Sequence, residues 1–410
     1  MNTSRGISGS DLRGMSRLAF DAIVGVIGLV ETMHGNIARR TGFVASPPGE
    51  TTSGITRLVY RSIRGVTHLA GAGADAALAL LEPRLAAQSP TPGREAARAA
   101  LNGVLGDHLV ETANPLAIPM RLRHRGQPLQ LQRDSLAAAL APPSGRLAVL
   151  VHGLCLNDRQ WNRDGHDHGA ALARDLGYTT VCLHYNTGLH ISVNGRAFAD
   201  LLEALVAAWP LPLEELAIIG HSMGGLVARS ACHYGAAGGH AWPRHLRKLI
   251  FLGAPHHGAP MERGGQWLHL ALNKSPYTAA FTHLGRIRSA GITDLRYGNL
   301  LDGDWQDRDR FEHVGDSRQV VPLPEGVECF AIAATTGSQA GDLRDRLLGD
   351  GLVPLNSALG RHEEPHRALS IPEGRQWVGC AMTHLDLLSR RDVYEQMRLW
   401  LGSASRSGSV

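Results

Sequence analysis

An α/β fold, with a mostly parallel central sheet and helices on both faces, is predicted by three observations. Short aliphatic runs alternate with helix-like segments between residues 147 and 253. One run, Leu216-Ala217-Ile218-Ile219, ends in Gly220-His221-Ser222-Met223-Gly224-Gly225 and passes directly into Leu226-Val227-Ala228-Arg229. Two titratable residues, Asp350 and His384, follow late strand-like runs in a fixed order after that serine. Strands alternating with helices build parallel sheets, because each crossover helix returns the chain to the same edge.

Residues 1–112 are expected to form a helical N-terminal region. Residues 17–29 align with 57–69 at an offset of 40, with six of thirteen positions identical, which reads as one duplicated helix. The linker Ala45-Ser46-Pro47-Pro48-Gly49 separates the copies. Leu58, Val59, Ile63, Val66, Leu69 and Ala70 follow helical spacing, while Arg57, Arg61 and Arg64 take another face. Gly25 and Gly65 suggest close helix contact. The plain expectation is an arm packed on the catalytic domain, and the alternative is peripheral attachment to an anionic membrane or polymer surface. No segment reaches the ~18 apolar residues of a membrane span. A third helix is expected near Arg94 to Val110, after Ser89-Pro90-Thr91-Pro92-Gly93.

The catalytic domain is expected over 113–401. Met120, Leu122, Leu129 and Leu131 around Arg125-Gly126 read as an opening antiparallel hairpin. Then come strand 147–151, helix 168–176, strand 178–185, helix 196–208, strand 216–221, helix 223–234 and strand 248–253. An insertion over 256–328 carries Trp267, Leu268, Tyr277 and Phe281 and reads as a lid or cap over the site. The run Cys329–Ala333 is a late strand leading toward Asp350-Gly351-Leu352-Val353-Pro354. Trp377–Ala381 leads to His384, and a last amphipathic helix follows with Val393, Met397, Trp400 and Leu401 on one face. Residues 402–410 are a small, polar tail expected to be disordered.

The glycine-flanked serine is a nucleophile elbow, a strained strand-to-helix turn that lifts a hydroxyl out of the sheet. Positions 220 and 224 leave no room for a Cβ where helix and strand pass closely. A serine hydroxyl is a poor nucleophile until a histidine accepts its proton and a carboxylate fixes the imidazole tautomer. The order Ser222, Asp350, His384 supplies these parts. Leu147–Val151 runs into His152-Gly153-Leu154, so the backbone N–H groups of Leu154 and Met223 are the candidate oxyanion donors. His152, Gly153, His221 and Trp267 are the candidate substrate-binding residues, although for His152 and His221 hydrogen bonds that position loops are the plainer role.

These residues carry a family resemblance. Val151-His152-Gly153-Leu154, Gly220 to Gly225, Leu252-Gly253-Ala254-Pro255-His256-His257-Gly258-Ala259-Pro260, Asp350 to Pro354 and Thr383-His384-Leu385 resemble the α/β-hydrolase serine esterases and lipases. The nearest branch contains GPI inositol-deacylase-like and bacterial triacylglycerol-lipase-like proteins. The resemblance covers about residues 118 to 401. It implies an α/β-hydrolase fold and ester chemistry through an acyl-enzyme on apolar acyl esters, without fixing a substrate. The alternatives are an acyltransferase using the same acyl-enzyme, or a binding protein that keeps the fold without turnover.

Composition narrows the rest. With 43% apolar residues, 41 Lys and Arg against 37 Asp and Glu, and a net charge of +4, the chain has an ordinary core and no basic stripe suited to nucleic acid. Five cysteines without a C-x-x-C pattern read as small buried hydrophobes, with Cys155 beside the oxyanion loop and able to line the site. Neither a metal nor an organic cofactor is expected. Asp11 and Asp21 break any signal-peptide layout, so a cytoplasmic location is the expectation. The acidic run Asp302–Asp309 reads as a solvated loop rather than a calcium site. Asp167 in Gly165-His166-Asp167-His168 reads as a helix N-cap rather than part of a zinc site.

Overall fold

The computed structural model describes residues 8–40, 54–81, 91–259, 289–307, 318–338 and 349–403. Contacts divide the chain into two compact units at residues 90/91, 108/109 and 117/118. Residues 91–108, expected with the N-terminal region, therefore group with the sheet.

The first unit is built on α1 (Gly9–Arg40) and α2 (Gly54–Leu81). They run antiparallel, since partners early in α1 lie late in α2. Arg13 and Arg17 both reach Asp75, with Nε to Oδ1 distances of 2.7 and 2.6 Å. Hydrogen bonds from Arg17 and then Arg13 hold that carboxyl far below the usual carboxylate range. Phe20 packs on Gly71, where a Cβ would stand 3.0 Å from the ring, and Arg64 pairs with Glu31. The close approach expected at Gly25 and Gly65 is absent, because a Cβ there would meet nothing within 4 Å. Close packing falls instead at Gly71 and at Gly14, which faces Leu116.

The second unit opens with α3 (Pro92–Glu111), whose first seventeen residues belong to it. The hairpin β1 (Arg121–His124) and β2 (Gln127–Pro128) follows, then α4 (Arg133–Ala139) and β3 (Arg146–Val151). A small ribbon, β4 (Asn162–Arg163) and β5 (His166–Asp167), precedes α5 (His168–Leu176) and β6 (Thr179–His184). Next come α6 (Ile191–Ala207), β7 (Glu215–His221), α7 (Met223–Ala237) and β8 (Leu246–Leu252). The helix expected at 196–208 thus begins about one turn earlier. After α8 (Ala290–Tyr297) come β9 (Glu328–Ala334), α9 (Leu355–Ala358), β10 (Gln376–Gly379) and α10 (Arg391–Gly402).

The eight strands form one sheet in the order β10-β9-β8-β7-β3-β6-β1-β2. From β10 to β6 every pairing is parallel, and β1 pairs antiparallel with both β6 and β2. Alternate residues of each strand point to opposite faces. Leu147, Val149 and Val151 join a core with Phe198 and Leu202 of α6 and Leu226 and Val227 of α7. Ala148 and Leu150 join the other, with Leu172 of α5 and Val393, Met397 and Leu401 of α10. The sheet is therefore covered on both sides, as near-continuous apolar strands require. This is the α/β-hydrolase fold.

Small residues let α3 lie close to the loops at the sheet's edge. A Cβ on Gly103 would stand 2.2 Å from Cys155 Sγ, and one on Gly106 would stand 1.9 Å from Asn186 Oδ1. Asn186 Nδ2 donates to Gly106 O at 2.9 Å, and Ser289 Oγ donates to Gly103 O at 2.6 Å. At the opposite end, fully buried Lys248 on β8 donates from Nζ to the carbonyls of Leu401 (3.1 Å) and Ser403 (2.7 Å). A cation there satisfies carbonyls left over at the end of α10 and suits the helix dipole.

Replacing Lys248 with Met keeps the apolar stem but strands the Ser403 carbonyl and removes the ion pair with Glu215 (3.5 Å), while Leu401 O keeps Arg146 Nη2 at 3.0 Å. The expected result is a loss of about 1–3 kcal/mol in stability, read from denaturant unfolding, with the site below left intact.

Candidate active site

Three glycines set the shape of the turn between β7 and α7. A Cβ on Gly220 would lie 2.6 Å from Gly225 Cα, and one on Gly224 would lie 2.2 Å from Val151 O. On Gly225 it would meet Ala254 Cβ at 2.6 Å. Two of these obstacles are backbone, which cannot step aside. Between the glycines Ser222 sits at φ 55° and ψ −125°, outside the ordinary regions for a residue with a Cβ. Its N–H donates to Leu252 O at 2.8 Å, tying the turn to the end of β8. The Ser222 hydroxyl is buried and makes no hydrogen bond.

Asp350 and His384 meet from two different loops. His384 Nδ1 donates to Asp350 Oδ2 at 2.6 Å, and both side chains are almost wholly buried. The other carboxylate oxygen accepts from the N–H groups of Leu352 (3.0 Å) and Val353 (2.8 Å). The backbone joins the same pair, since His384 N–H donates to Asp350 O at 3.1 Å. Gly349 at φ 50° and Gly351 at φ 93° let the chain double back around the acid. Asp342 and Asp345, the acids that precede Asp350 most closely in the sequence, lie outside the described residues. Because a carboxylate only accepts, Nδ1 of His384 carries the proton of this hydrogen bond.

The imidazole lies beside the serine turn. A Cβ on Gly253 would stand 3.0 Å from His384 Cε1, and Gly253 directly follows the Leu252 carbonyl that holds Ser222. Two more histidines fix the His384 loop by its carbonyls. His221 Nε2 donates to His384 O at 3.1 Å, and His168 Nε2 donates to Leu387 O at 3.0 Å. His166 Nε2 in turn donates to His168 Nδ1 at 2.9 Å. The His168 contact was missed from the sequence, where His168 read as the start of a helix, with a zinc site as the alternative set aside. Its partner is 219 residues away, so no local pattern marks it.

The His152-Gly153-Leu154 loop packs directly on the serine. A Cβ on Gly153 would stand 2.9 Å from Ser222 Cβ, so only glycine allows this approach. Leu154 enters a turn closed by Leu156 N–H donating to Gly153 O at 3.3 Å, with Cys155 at φ 60°. Met223 opens α7, so its N–H has no carbonyl one turn back within the helix. Those are the two expected oxyanion donors, one in each segment bordering Ser222.

The expected substrate-binding residues divide. His152 is fully buried, donates Nδ1–H to Gly153 O at 3.0 Å and stacks on Tyr185 with centroids 4.6 Å apart. Burial presses its pKa down to about 3. Tyr185 Oη donates back to His152 O at 2.8 Å, which braces the loop from beneath. His221 is likewise buried, and burial holds it well below its ordinary range. Both rings hold loops in place. Trp267, and most of the expected lid around it, lie outside the described residues. Cys155, expected to line the site, turns its thiol toward Gly103 and Ala100 O of α3 instead, and burial pushes it up to about 12.

Other tempting residues have structural partners. Asp167 Oδ1 caps α5 by accepting from Ala170 N–H at 2.9 Å. Asp304 accepts from Leu300 and Leu301 N–H, each at 2.9 Å, and from Gln319 N–H at 2.9 Å. Asp302 pairs with Arg196.

Residues 143–320, less than half the chain, match the family model described as a PGAP1-like alpha/beta domain. Among solved structures the chain is similar to the mature form of Bacillus licheniformis lipase BlEst2. The identity is 18%, the match covers 69% of this chain and 98% of that one, and the TM-score is 0.41. For Aspergillus fumigatus lipase B the values are 12%, 68%, 59% and 0.40. For Legionella pneumophila phospholipase PlaB, in complex with thio-NAD, they are 16%, 52%, 43% and 0.33. No curated protein matches the chain.

The His168 tether makes stability pH-dependent. Burial lowers its pKa to about 4, below the roughly 6.5 of an unfolded histidine. Its contribution is therefore fully present above pH 6.5 and is lost as pH falls toward 4, because only the unfolded chain takes up the proton. For one such group the loss by pH 4 is about 3 kcal/mol. His168→Gln keeps an amide donor for Leu387 O without titrating. Its unfolding free energy is expected to fall less steeply between pH 6.5 and 4, by the share of one proton. An identical pH slope in wild type and variant would place the burial cost elsewhere.

Proposed function

We propose that this protein is a serine carboxylic-ester hydrolase of the esterase and lipase type, acting on apolar acyl esters. The observation that carries the reading is the buried 2.6 Å contact between His384 and Asp350 beside a serine held at positive φ. Ser222 Oγ attacks the acyl carbon while His384 Nε2 takes the hydroxyl proton. Asp350 keeps the proton on Nδ1 and stabilises the imidazolium as it forms. The N–H groups of Leu154 and Met223 receive the charge that grows on the carbonyl oxygen, and each such donor is worth roughly 3–4 kcal/mol in the transition state. Collapse expels the alcohol, which takes the proton from His384. A water then repeats the sequence on the acyl-enzyme and releases the acid, regenerating Ser222. His168 and His221 contribute by holding the His384 loop.

The fold and the presence of all three parts in the order Ser, Asp, His support this over a binding protein without turnover.

Ser222→Ala is expected to fold normally, to lose turnover of p-nitrophenyl esters and to escape labelling by a fluorophosphonate probe. Retained labelling would exclude Ser222. Asp350→Asn leaves the ring with the wrong tautomer, so kcat is expected to fall by about 10³- to 10⁴-fold. Asp345→Asn is expected to change it little, and the reverse ranking would move the acid to Asp345.

A further inference from the structure

We propose that Thr187 and Tyr185 are positioning residues for the reaction, clamping the loop that carries the Leu154 N–H so that this donor keeps its place beside Ser222. The inference rests on the ester-hydrolase reading above and names the part of the fold that holds that oxyanion donor. Leu154 is buried, and among the described residues its N–H donates to no group. A buried backbone N–H is normally paired, so one left over beside a nucleophile is available to a substrate oxygen. Leu154 follows Gly153, whose missing Cβ lets the loop approach Ser222, and it precedes Cys155, which takes φ 60°. That conformation is strained for a residue with a Cβ and persists only where its surroundings enforce it.

Both clamping side chains come from the run that leaves β6, two residues apart and almost wholly buried. Tyr185 Oη donates to His152 O at 2.8 Å, and Thr187 Oγ1 accepts from Cys155 N–H at 3.1 Å. One bond lies two residues before Leu154 and the other directly after it, so the peptide that carries the donor is held between them. The Thr187 bond acts on the strained residue itself. It fixes the Cys155 N–H while the Cys155 thiol is seated against Gly103 of α3, and the two together oppose relaxation of φ. The run that supplies the clamp is in turn tied to three helices. Asn186 Nδ2 donates to Gly106 O of α3 at 2.9 Å, Asn194 Nδ2 of α6 donates to Asn186 O at 3.0 Å, and Gly291 N–H of α8 donates to Gly188 O at 3.1 Å. A support fixed in this way sets a donor's position more narrowly than a contact between two free loops would. Position matters here because a misplacement of about 1 Å can cost on the order of 10²-fold in rate.

The test compares two substitutions in the full chain. Thr187→Val keeps the branched shape but removes the acceptor for Cys155 N–H, whereas Thr187→Ser keeps the acceptor. With a p-nitrophenyl ester, Thr187→Val is expected to lose about tenfold or more in kcat with KM nearly unchanged, short of the roughly 10²–10³-fold that loss of a whole donor costs. Thr187→Ser should restore most of that loss. Tyr185→Phe removes the bond on the other side of Leu154 and should lower kcat in the same direction. Backbone hydrogen exchange over residues 152–158, followed by mass spectrometry, should quicken in Thr187→Val but not in Thr187→Ser. A lower melting temperature with kcat unchanged, a rise in KM alone, or equal losses in Thr187→Val and Thr187→Ser overturns the proposal. Should Thr187→Val fail to fold by circular dichroism, Tyr185→Phe is judged by the same kcat and exchange criteria. Failure of the underlying reading is distinguishable, because the wild-type protein then shows neither ester turnover nor fluorophosphonate labelling, and the proposal falls with it.

Discussion

The structure around Ser222 depends on how closely α7 approaches β7 and β3. Gly220 and Gly225 touch backbone to backbone, and Gly224 lies against the carbonyl of Val151. A helix held that near its strand leaves the chain a single residue in which to reverse direction. Ser222 absorbs that reversal at φ 55°, at a cost on the order of 1–3 kcal/mol. The sheet on both sides sustains it, through Ser222 N–H on Leu252 O and through strands whose buried residues are nearly all apolar. The positive φ of Ser222 and a helix start at Met223 are thus two results of one packing constraint.

Around that turn the ionisable groups are sorted by burial. His152, His168, His221 and His256 are all buried, and burial lowers the pKa of each. Neutral rings have one N–H to give, and three of them give it to loop carbonyls, at Gly153, Leu387 and His384. His384 alone among these rings has a carboxylate on its N–H. A positive charge forming on any ring near Ser222 would therefore be stabilised at His384 and penalised at its neighbours.

Much of this was legible in the sequence because it is local. The Gly220–Gly225 run states its own geometry, since glycine is the residue that fits where backbone meets backbone, and the strands announce themselves as short aliphatic runs of near-correct bounds. Asp350, where Gly351 and Val353-Pro354 mark a turn, is the carboxylate that meets His384. What escaped notice is carried by long-range contact. Cys155 read as a lining residue from its position beside Leu154, yet Gly103, fifty-two residues earlier, claims its thiol. His168 and Leu387, Lys248 and Leu401, and Gly106 and Asn186 are all partners that neither periodicity nor composition brings together.

The amphipathic helices α2 and α10 show where pattern reading stops. In α10 the stripe Val393, Met397 and Leu401 repeats every four residues and is wholly buried on the sheet. In α2 the stripe Leu58, Ile63, Val66 and Leu69 also lies along one side of the helix and is exposed. Periodicity establishes that a helix has an apolar side, but the partner of that side is set by what else the helix must satisfy. In α10 the opposite face is charged and goes to water, leaving the stripe to the core. In α2 the opposite face carries Arg64, Asp75 and Gly71, which are committed to Glu31, to Arg13 and Arg17, and to Phe20 of α1. Those ion pairs orient the helix, because turning it to bury the leucines would break each of them and strand Glu31 without its partner. The apolar face is thus displayed by the same contacts that hold the hairpin together.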